Sequence, residues 1–169
     1  TNLKFANLKS SNLSQATLIK ANLSEADLMK ADLSEANLRE ANLNKANLRF
    51  TQLFKANLTK ADLSLAIVKK AQLQNTDMTA VLGLGSDFTE SNLTGACLHN
   101  VNIDLKTNFE SVEWDYVFRK KRYGSEVTDR YPRDKNFEPG EFTKEFQKVS
   151  EMRELFFENG ITEFFEFFE

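Results

Sequence analysis

The chain has 169 residues, of which 41% are hydrophobic and 28% charged, and its formal net charge is −3. The sequence contains no run of 18 or more apolar residues, which is about the length that a helix needs to span a membrane, so we expect no membrane partner. The single cysteine, Cys97, excludes an internal disulfide and favours a reducing compartment, for which we predict the cytoplasm.

A five-residue pattern begins at Thr1 and dominates the first part of the chain. Every fifth position from Leu3 to Met78 gives sixteen sites, and fourteen of them are Leu. The residue two positions before each site is Ala twelve times and Ser or Thr four times. A polar residue, mostly Asn or Asp, stands between the two, as in Ala21-Asn22-Leu23. A fixed period of this kind predicts a repeat architecture.

A period of five does not fit an amphipathic helix, because a step of five residues turns about 140° at about 100° per residue. In an extended chain, residues i and i−2 point to the same side. Each unit is therefore predicted to be a short extended segment with Leu and Ala inward and Asn or Asp outward. The next two residues, such as Ser24-Glu25, would turn the corner, and the units would stack around a column of leucines as a solenoid.

The repeats resemble the A(D/N)LXX motif of the pentapeptide-repeat family, as in Ala26-Asp27-Leu28 and Ala36-Asn37-Leu38. The resemblance covers residues 1 to about 118. It implies an all-β solenoid, namely a right-handed quadrilateral β-helix with four pentapeptides per coil. It also implies a non-enzymatic structural or protein–protein interaction module. The alternative function is a regulator of a DNA topoisomerase or another nucleic-acid enzyme, as in the gyrase-binding members of the family.

The charge distribution separates these two functions. Residues 1–80 hold eleven Lys and Arg against seven Asp and Glu, whereas residues 124–169 hold six against twelve. A protein that mimics DNA needs dense negative charge along its coils, and this solenoid does not have it. The favoured partner is therefore another protein, and nucleic acid is not the expected ligand.

With four units per coil, residues twenty apart would stack at about 4.8 Å. Exposed charges of opposite sign would then meet in columns, which supports the four-sided register independently of the resemblance. These columns are Lys20 with Glu40 and Lys60, Glu25 with Lys45, and Glu35 with Lys55.

The pattern changes near Val81-Leu82-Gly83-Leu84-Gly85. Gly83 stands at a Leu site, and the two glycines predict a bulge or corner loop. The phase resumes at Phe88, and one extra residue near Leu105-Lys106 moves it to Phe109. Phe88 and Phe109 are expected to fill the centre of their coils.

Two domains are predicted, the β-helix of residues 1–118 and a C-terminal segment of residues 119–169. The second domain opens with the basic run Arg119-Lys120-Lys121-Arg122, for which a solvated junction is expected, and continues as a polar linker. From Pro139 an α-helix is predicted, and Phe164, Phe165 and Phe168 fit a second, short one. Because solenoids need terminal caps, we expect this small α-helical segment to cap the last coil.

The stretch from Tyr131-Pro132-Arg133-Asp134 to Phe142-Thr143-Lys144 resembles the tail that follows the repeats in some cyanobacterial pentapeptide-repeat proteins. This narrower resemblance implies a bacterial, and more narrowly a cyanobacterial, source.

The sequence shows no arrangement suited to catalysis, a cofactor or a metal. The outward carboxylates fall on four different faces, so they form no acid–base pair. His99 and Cys97 lie in one unit, but one His and one Cys cannot complete a zinc site. Gly83-Leu84-Gly85 lacks the rest of a dinucleotide fingerprint. We therefore predict no enzyme, no cofactor and no metal, and we expect the Cys97 thiol to be accessible because its position faces outward. The outward carboxylates that fall on four different faces are Asp27, Asp32, Asp62 and Asp77.

A protein partner is predicted to bind on the side of the solenoid that carries Leu28, Leu48 and Val68. Outward cations are frequent on this side, and large apolar residues stand outward there and on the adjoining sides. Aromatic anchors ringed by cations would suit an acidic protein partner, and a solvated face with a few stray apolar residues is the alternative. The candidate residues are Arg49, Phe50, Phe54, Leu65, Ile67, Lys69 and Lys70.

The N-terminal end generates the first testable prediction. Thr1-Asn2-Leu3 starts a coil in phase with the repeat and without Met, so either a preceding segment of the natural chain covers these strands or they self-associate. Sedimentation velocity of the 169-residue chain should show association that grows with concentration. A strict monomer at high concentration would contradict an exposed edge that pairs.

Overall fold

The computed structural model describes residues 1–121, 127–141 and 143–144, with Lys121, Val127 and Thr128 described by their backbone alone. Within these residues the chain winds into stacked coils, and an antiparallel hairpin follows. Isolated parallel bridges join residues twenty apart, from Asn2 with Asn22 up to Leu82 with Asn102. The predicted four-unit coil is therefore confirmed.

Each side of a coil is a short extended segment that is hydrogen-bonded to the coils before and after it. Asn22 N donates to Thr1 O at 2.9 Å, and Leu3 N donates to Asn22 O at 2.7 Å. Equivalent pairs of bonds recur on all four sides through the solenoid. The backbone groups of one coil are thus satisfied by its two neighbours.

The corners are two-residue turns with a left-handed second residue. Ala6 N donates to Leu3 O at 3.0 Å across the first turn, and Phe5, the third residue of that turn, has φ 60°. A positive φ at this position is typical of a type II turn, which usually takes Gly. Here Lys, Glu, Ser, Asn, Gln and even Phe and Leu adopt it. In the described turns it never holds Val, Ile or Thr, whose branched side chains tolerate this region least.

The polar middle residue of each unit supports the corner that follows it. Its Oδ1 accepts the backbone N–H of the residue two positions later, from Ser34 to Asp32 at 2.9 Å and from Thr59 to Asn57 at 3.0 Å. Asn and Asp have the side-chain length for this Asx turn. The preference for Asn and Asp therefore reflects turn geometry as well as outward exposure, which sequence reasoning had taken as the whole explanation.

The core is a column of stacked Leu and Ala side chains. Those from Ala21 to Leu73 are at most 1% exposed. Where Thr replaces Ala, the buried hydroxyl finds a partner, as Thr51 Oγ1 donates to Leu28 O at 2.9 Å. Burial of one leucine side chain contributes about 1.5–3 kcal/mol, so the column is the main source of stability.

The bulge predicted at Val81–Gly85 is wrong. Leu82 bridges both Asp62 and Asn102 in the regular register, and Gly83 N donates to Asn102 O at 2.8 Å. The space that a leucine would fill at Gly83 is taken by neighbours, since a Cβ there would lie 3.3 Å from Ile103 Cγ2. The loss of one large side chain is compensated by another in the next coil.

The predicted extra residue is confirmed. The bridge spacing becomes twenty-one residues at Asp87 with Asn108, after a turn at Leu105 and Lys106. Phe88 and Phe109 stack in the centre of their coils with ring centroids 5.1 Å apart. On this side the last two coils therefore have stacked phenylalanine rings in place of leucine, while Leu93 and Leu98 continue the leucine core on the other sides.

An antiparallel hairpin follows the last parallel bridge. It pairs β1 (Val117–Lys121) with β2 (Val127–Tyr131). The predicted linker thus contains strands. Arg119 is not solvated as expected: its side chain is 9% exposed, lies 3.0 Å from Asp129 Oδ2, and stands over the Tyr131 ring.

The residues after the hairpin fold back onto the end of the solenoid. Phe137 N donates to Asp115 O at 2.8 Å, and the buried Phe137 ring packs edge-on against Tyr131. Trp114 Nε1 donates to Thr143 Oγ1 at 3.3 Å. The end of the core is therefore covered in part by the chain's own C-terminal segment.

A first helical turn is visible where the helix was predicted to begin. The Glu141 carboxylate accepts the Glu138 N–H at 2.8 Å, as in a capping box, and Lys144 N donates to Gly140 O at 3.1 Å. The rest of this helix and the predicted second helix lie outside the described residues, so the α-helical cap stays a prediction. In the described part of the chain, no helix has the length and apolar character needed to cross a membrane.

The left-handed corners generate the second prediction. Lys45 has φ 58°, whereas Asn44, the other residue of the same turn, is not in the left-handed region. Lys45→Val should lower the free energy of unfolding by about 1–2 kcal/mol because the branched side chain disfavours this backbone. Asn44→Val is the matched control and should cost less, and Lys45→Gly should cost nothing. Equal losses for the two valine variants in urea unfolding would show that backbone strain is not the cause.

The Asx turns generate the third prediction. Hydrogen bonds from the Ser34 hydroxyl and backbone N–H hold the pKa of Asp32 below its usual value of 3.8. A carboxyl with a lowered native pKa contributes stability that is present above its unfolded pKa and is lost as the pH falls through the native pKa. Asp32→Asn keeps the Oδ1 acceptor but does not titrate. Between about pH 6 and about pH 3, the variant should therefore lose less stability than the wild type.

A matched control tests the same mechanism in the opposite direction. Asn37 Oδ1 accepts the Arg39 N–H at 3.2 Å in an equivalent turn. Asn37→Asp should add a titrating group there and increase the loss of stability in acid. If urea midpoints of all three proteins shift equally with pH, the Asx carboxylate does not carry the effect.

Candidate protein-interaction surface

The coil has four corners, and three of them carry the predicted surface residues. The first corner includes the turns 44–45, 64–65, 84–85 and 105–106, the second includes 49–50 and 69–70, and the third includes 54–55. The structure places Leu65 at the first corner, Ile67 on the side between the first and second corners, and Arg49, Phe50, Lys69 and Lys70 at the second. Phe54 lies at the third corner, a full side away from Phe50. Four of the seven residues thus share the second corner and Ile67 lies on an adjoining side, whereas Leu65, like Phe54, lies a full side away from that corner.

Two of the three predicted surface cations at the second corner, Lys69 and Lys70, have acidic partners in the next coil. Lys69 Nζ lies 3.0 Å from Asp87 Oδ2, and Lys70 Nζ lies 3.1 Å from Glu90 Oε2. Burial raises the pKa of Asp87, but hydrogen bonds from Thr89 and Lys69 outweigh this effect and lower the pKa overall. The corner is therefore less positive than the sequence alone indicates.

The charge columns form only in part. Lys20 Nζ lies 3.3 Å from Glu40 Oε2, as predicted. Glu25, however, lies 3.6 Å from Lys4, and Glu35 accepts a hydrogen bond from Gln15 at 3.2 Å. These carboxylates reach back to the preceding coil, so the predicted columns have the right geometry but different partners.

The exposed phenylalanines are each accompanied by a lysine. Lys70 Nζ lies 5.9 Å from the Phe50 ring centroid, and Lys55 Nζ lies 5.0 Å from that of Phe54. Lys4 stands over Phe5 in the same way at 4.5 Å, three coils before Leu65 and outside the predicted surface. Because the contact also occurs there, the cation–π pairs stabilise individual corners and do not by themselves indicate a binding site.

Three exposed leucines that sequence reasoning missed extend the surface towards the C-terminal end. Leu82, Leu84 and Leu105 are 41%, 38% and 45% exposed, and Leu65 is 51% exposed. Leu65 N donates to Leu84 O at 2.9 Å, so these two turns are adjacent. The sequence could have indicated this surface, because apolar residues recur at the outward positions of three successive coils. The recurrence was missed because Val81–Gly85 was interpreted as a bulge. We call Phe50, Leu65, Ile67, Leu82, Leu84 and Leu105 the leucine band.

Gly85 allows the leucine band to be continuous. Its φ is +63°, and a Cβ on it would lie 3.0 Å from Leu65 Cδ2. The Leu65 side chain therefore lies directly over the glycine. A larger residue at this corner would displace Leu65 and interrupt the apolar surface.

The side chains that could act as nucleophiles or metal ligands do not come together at one place in the described part of the chain. The expectation of an accessible thiol is wrong, since Cys97 is fully buried between its bridge partners Asp77 and Phe118. His99 Nδ1 lies 3.3 Å from Arg119 O. Among the described residues, no group of three or more His, Cys, Asp or Glu side chains could hold a metal ion.

The repeat pattern matches a known family. The sequence profile described as pentapeptide repeats matches in eight copies over residues 1–34, 31–69 and 69–104. The chain belongs to the pentapeptide-repeat family. Proteins of this family form right-handed quadrilateral β-helices, and the twenty-residue bridges agree with that architecture. The match indicates no enzymatic family.

Solved structures of the family include similar proteins. A pentapeptide repeat protein from the thylakoid lumen of Arabidopsis thaliana is 33% identical, with a TM-score of 0.56, over 56% of this chain and 66% of that one. HetL, a pentapeptide repeat protein involved in heterocyst differentiation regulation in the cyanobacterium Nostoc sp. strain PCC 7120, is 36% identical with a TM-score of 0.26. That alignment covers 66% of this chain and 55% of HetL.

The chain thus spans just under two thirds of the Arabidopsis protein and about half of HetL. Among curated protein sequences, none matches the chain significantly.

Proposed function

We propose that this pentapeptide-repeat protein is a non-enzymatic interaction module whose leucine band binds an apolar, acidic segment of a partner protein. The observation that carries the proposal is the run of exposed leucines on successive coils at the first corner. Isolated apolar residues on a surface need no explanation, but a contiguous group rimmed by charged residues is typical of an interaction site.

The rigidity of the scaffold supports this function. The backbone of the Leu65 turn is hydrogen-bonded to that of the Leu84 turn in the next coil. The turn that carries Leu105 is held by the hydrogen bond from Lys106 N to Asp104 Oδ1. Side chains on such a frame lose little backbone entropy on binding, so apolar contacts contribute more of their free energy to affinity. Arg49 and Lys45 stand at the N-terminal end of the leucine band and favour acidic groups on the partner.

Regulation of a topoisomerase is less well supported. A protein that imitates DNA would present a continuous acidic face, whereas every corner of described residues 1–104 contains uncharged or basic residues among its acids. Ion pairs such as Lys69 with Asp87 further neutralise the carboxylates that are present. A cyanobacterial source is part of the proposal and rests on the tail residues from Tyr131 to Lys144.

The fourth prediction tests the leucine band by affinity capture from the source organism. The double variant Leu65→Ser with Leu84→Ser should reduce recovery of the specific partner by about tenfold or more, equivalent to about 1.4 kcal/mol of binding free energy. Thermal unfolding should show little change because both side chains are exposed. Quantitative mass spectrometry of proteins recovered with each variant provides the measurement.

The matched control is Phe5→Ser with Ile19→Ser, which removes two exposed apolar side chains, 65% and 43% exposed, outside the leucine band. This variant should retain the partner. Phe50→Ser should weaken capture, while Phe54→Ser, at the third corner, should not. If no recovered protein depends on the leucine band, or if the control loses the same proteins, the proposed surface is not the binding site.

A further inference from the structure

The three leucines of the first corner recur once per coil. Leu65, Leu84 and Leu105 extend from turns of three successive coils, and each is between 38% and 51% exposed. Because coils are about 4.8 Å apart, the outer two leucines are separated by roughly 10 Å along the solenoid axis. A partner segment that contacts all three must present apolar side chains at nearly the same interval.

An α-helix parallel to the axis has an interval that fits. Its apolar stripe offers one residue per turn of about 5.4 Å, which differs from the coil spacing by only about 0.6 Å. In an extended strand, side chains on one face are about 6.7 Å apart, so two steps leave the strand about 4 Å out of register. A polyproline II helix repeats about every 9.3 Å and would miss the middle leucine. The three leucines therefore match a helix with apolar residues at i, i+3 or i+4, and i+7.

The apolar residues beside the corner suit the shape of a helix. Leu82 lies on the side that precedes the corner, and Ile67 lies on the side that follows it. Helices pack by placing a ridge of one surface between two rows of side chains on the other. The corner leucines provide such a ridge, and Leu82 and Ile67 provide apolar contacts for the rows on its two sides.

A lysine stands at each end of the three leucines. Lys45 occupies the turn one coil before the first leucine, and Lys106 directly follows the last. Glu25, in the coil before Lys45, turns away from it, since its Oε1 lies 3.6 Å from Lys4 Nζ. Asp104 Oδ1 accepts the backbone N–H of Lys106 at 3.2 Å and so serves its own turn. The two ammonium groups therefore remain open to acidic residues of a bound segment.

These end charges disfavour a second copy of the chain on this surface. If two copies packed their leucines antiparallel, Lys45 of one would face Lys106 of the other. If they packed parallel, each lysine would face its own equivalent. Both arrangements oppose like charges, whereas a segment with acidic ends would be attracted at both.

We propose that the partner segment on the leucine band is an amphipathic α-helix that lies parallel to the solenoid axis, with an acidic residue at each end of its apolar stripe. This inference rests on the surface assigned under the proposed function and adds the conformation of the bound segment. The turns of Lys45 and Lys106 are three coils apart, or about 14 Å along the axis. The two acidic residues are therefore about ten positions apart in the helix.

Binding of synthetic peptides to the full chain tests the helix. The probe is a fluorescent peptide of about fifteen residues, held helical by a lactam bridge on its polar face, with leucines at i, i+3 and i+7 and a glutamate at each end. One matched peptide keeps the composition but places its leucines at every second residue, and another keeps the bridge but distributes them around the helix. Fluorescence anisotropy should show that the probe binds at least about tenfold more tightly than either. Amide shifts of Leu65, Leu84 and Leu105 should change on its addition, and those of Asn37 and Asn57 should not.

Charge reversal tests the two ends. Lys45→Glu with Lys106→Glu should weaken binding of the probe by about tenfold, and a peptide with lysines at both ends should prefer this variant to the parent protein. Glu already occupies the left-handed turn position at Glu25, so the fold should tolerate the change at Lys45. Lys55→Glu with Lys60→Glu makes the same change in net charge at other corners and should alter the affinity by less than about twofold.

The outcomes separate this inference from the proposed function. Equal or tighter binding of the period-two peptide, or shifts confined to other sides, would overturn the helix. Equal losses in the two charge-reversed variants would overturn the acidic ends. If no peptide binds while capture of the partner still depends on Leu65 and Leu84, the helix is wrong and the proposed binding surface stands. If capture does not depend on those leucines either, the proposed function itself fails.

Discussion

The hydrogen bonds between successive coils are the interaction on which the rest of the structure depends. Every side of a coil must present its donors and acceptors at the height of the next coil, which requires each corner to turn within two residues. The left-handed second residue of the turn meets that requirement at a local conformational cost. Two contributions offset it: burial of the leucine column, and Asx bonds such as that from Ser34 N to Asp32. Turn, ladder and core are therefore interdependent in each unit.

This division of roles leaves much of the surface free to vary. Asn and Asp are equivalent as Asx acceptors, so the charge of a side can change without loss of the corner that follows. The second turn residue accepts nearly any side chain that is not branched at Cβ, as Lys45, Phe50 and Leu65 illustrate. Interaction surfaces can thus be built from positions that contribute little to folding, and the leucine band is consistent with such use.

The repeat made most of the solenoid predictable from the sequence, because inward Leu and Ala are specified by local spacing. Features that depend on the next coil were not predictable. Cys97 is buried because of its neighbours Asp77 and Phe118, and Gly83 keeps its register because Ile103 fills the space beside it. The leucine band required knowledge of which outward residues become adjacent. The hairpin was missed because Arg119 was taken as a solvated cation, whereas Asp129 and Tyr131 provide its partners.

The change of bridge spacing from twenty to twenty-one residues shows how this architecture handles insertions. One extra residue near Leu105 is absorbed within a corner, and the faces beyond it stay aligned with those before it. An added unit of five residues would preserve the core and the ladder but rotate every later outward position by a quarter turn. Four added units would restore the alignment. The exterior of such a protein can therefore be reorganised by changes in length to which the interior is nearly indifferent.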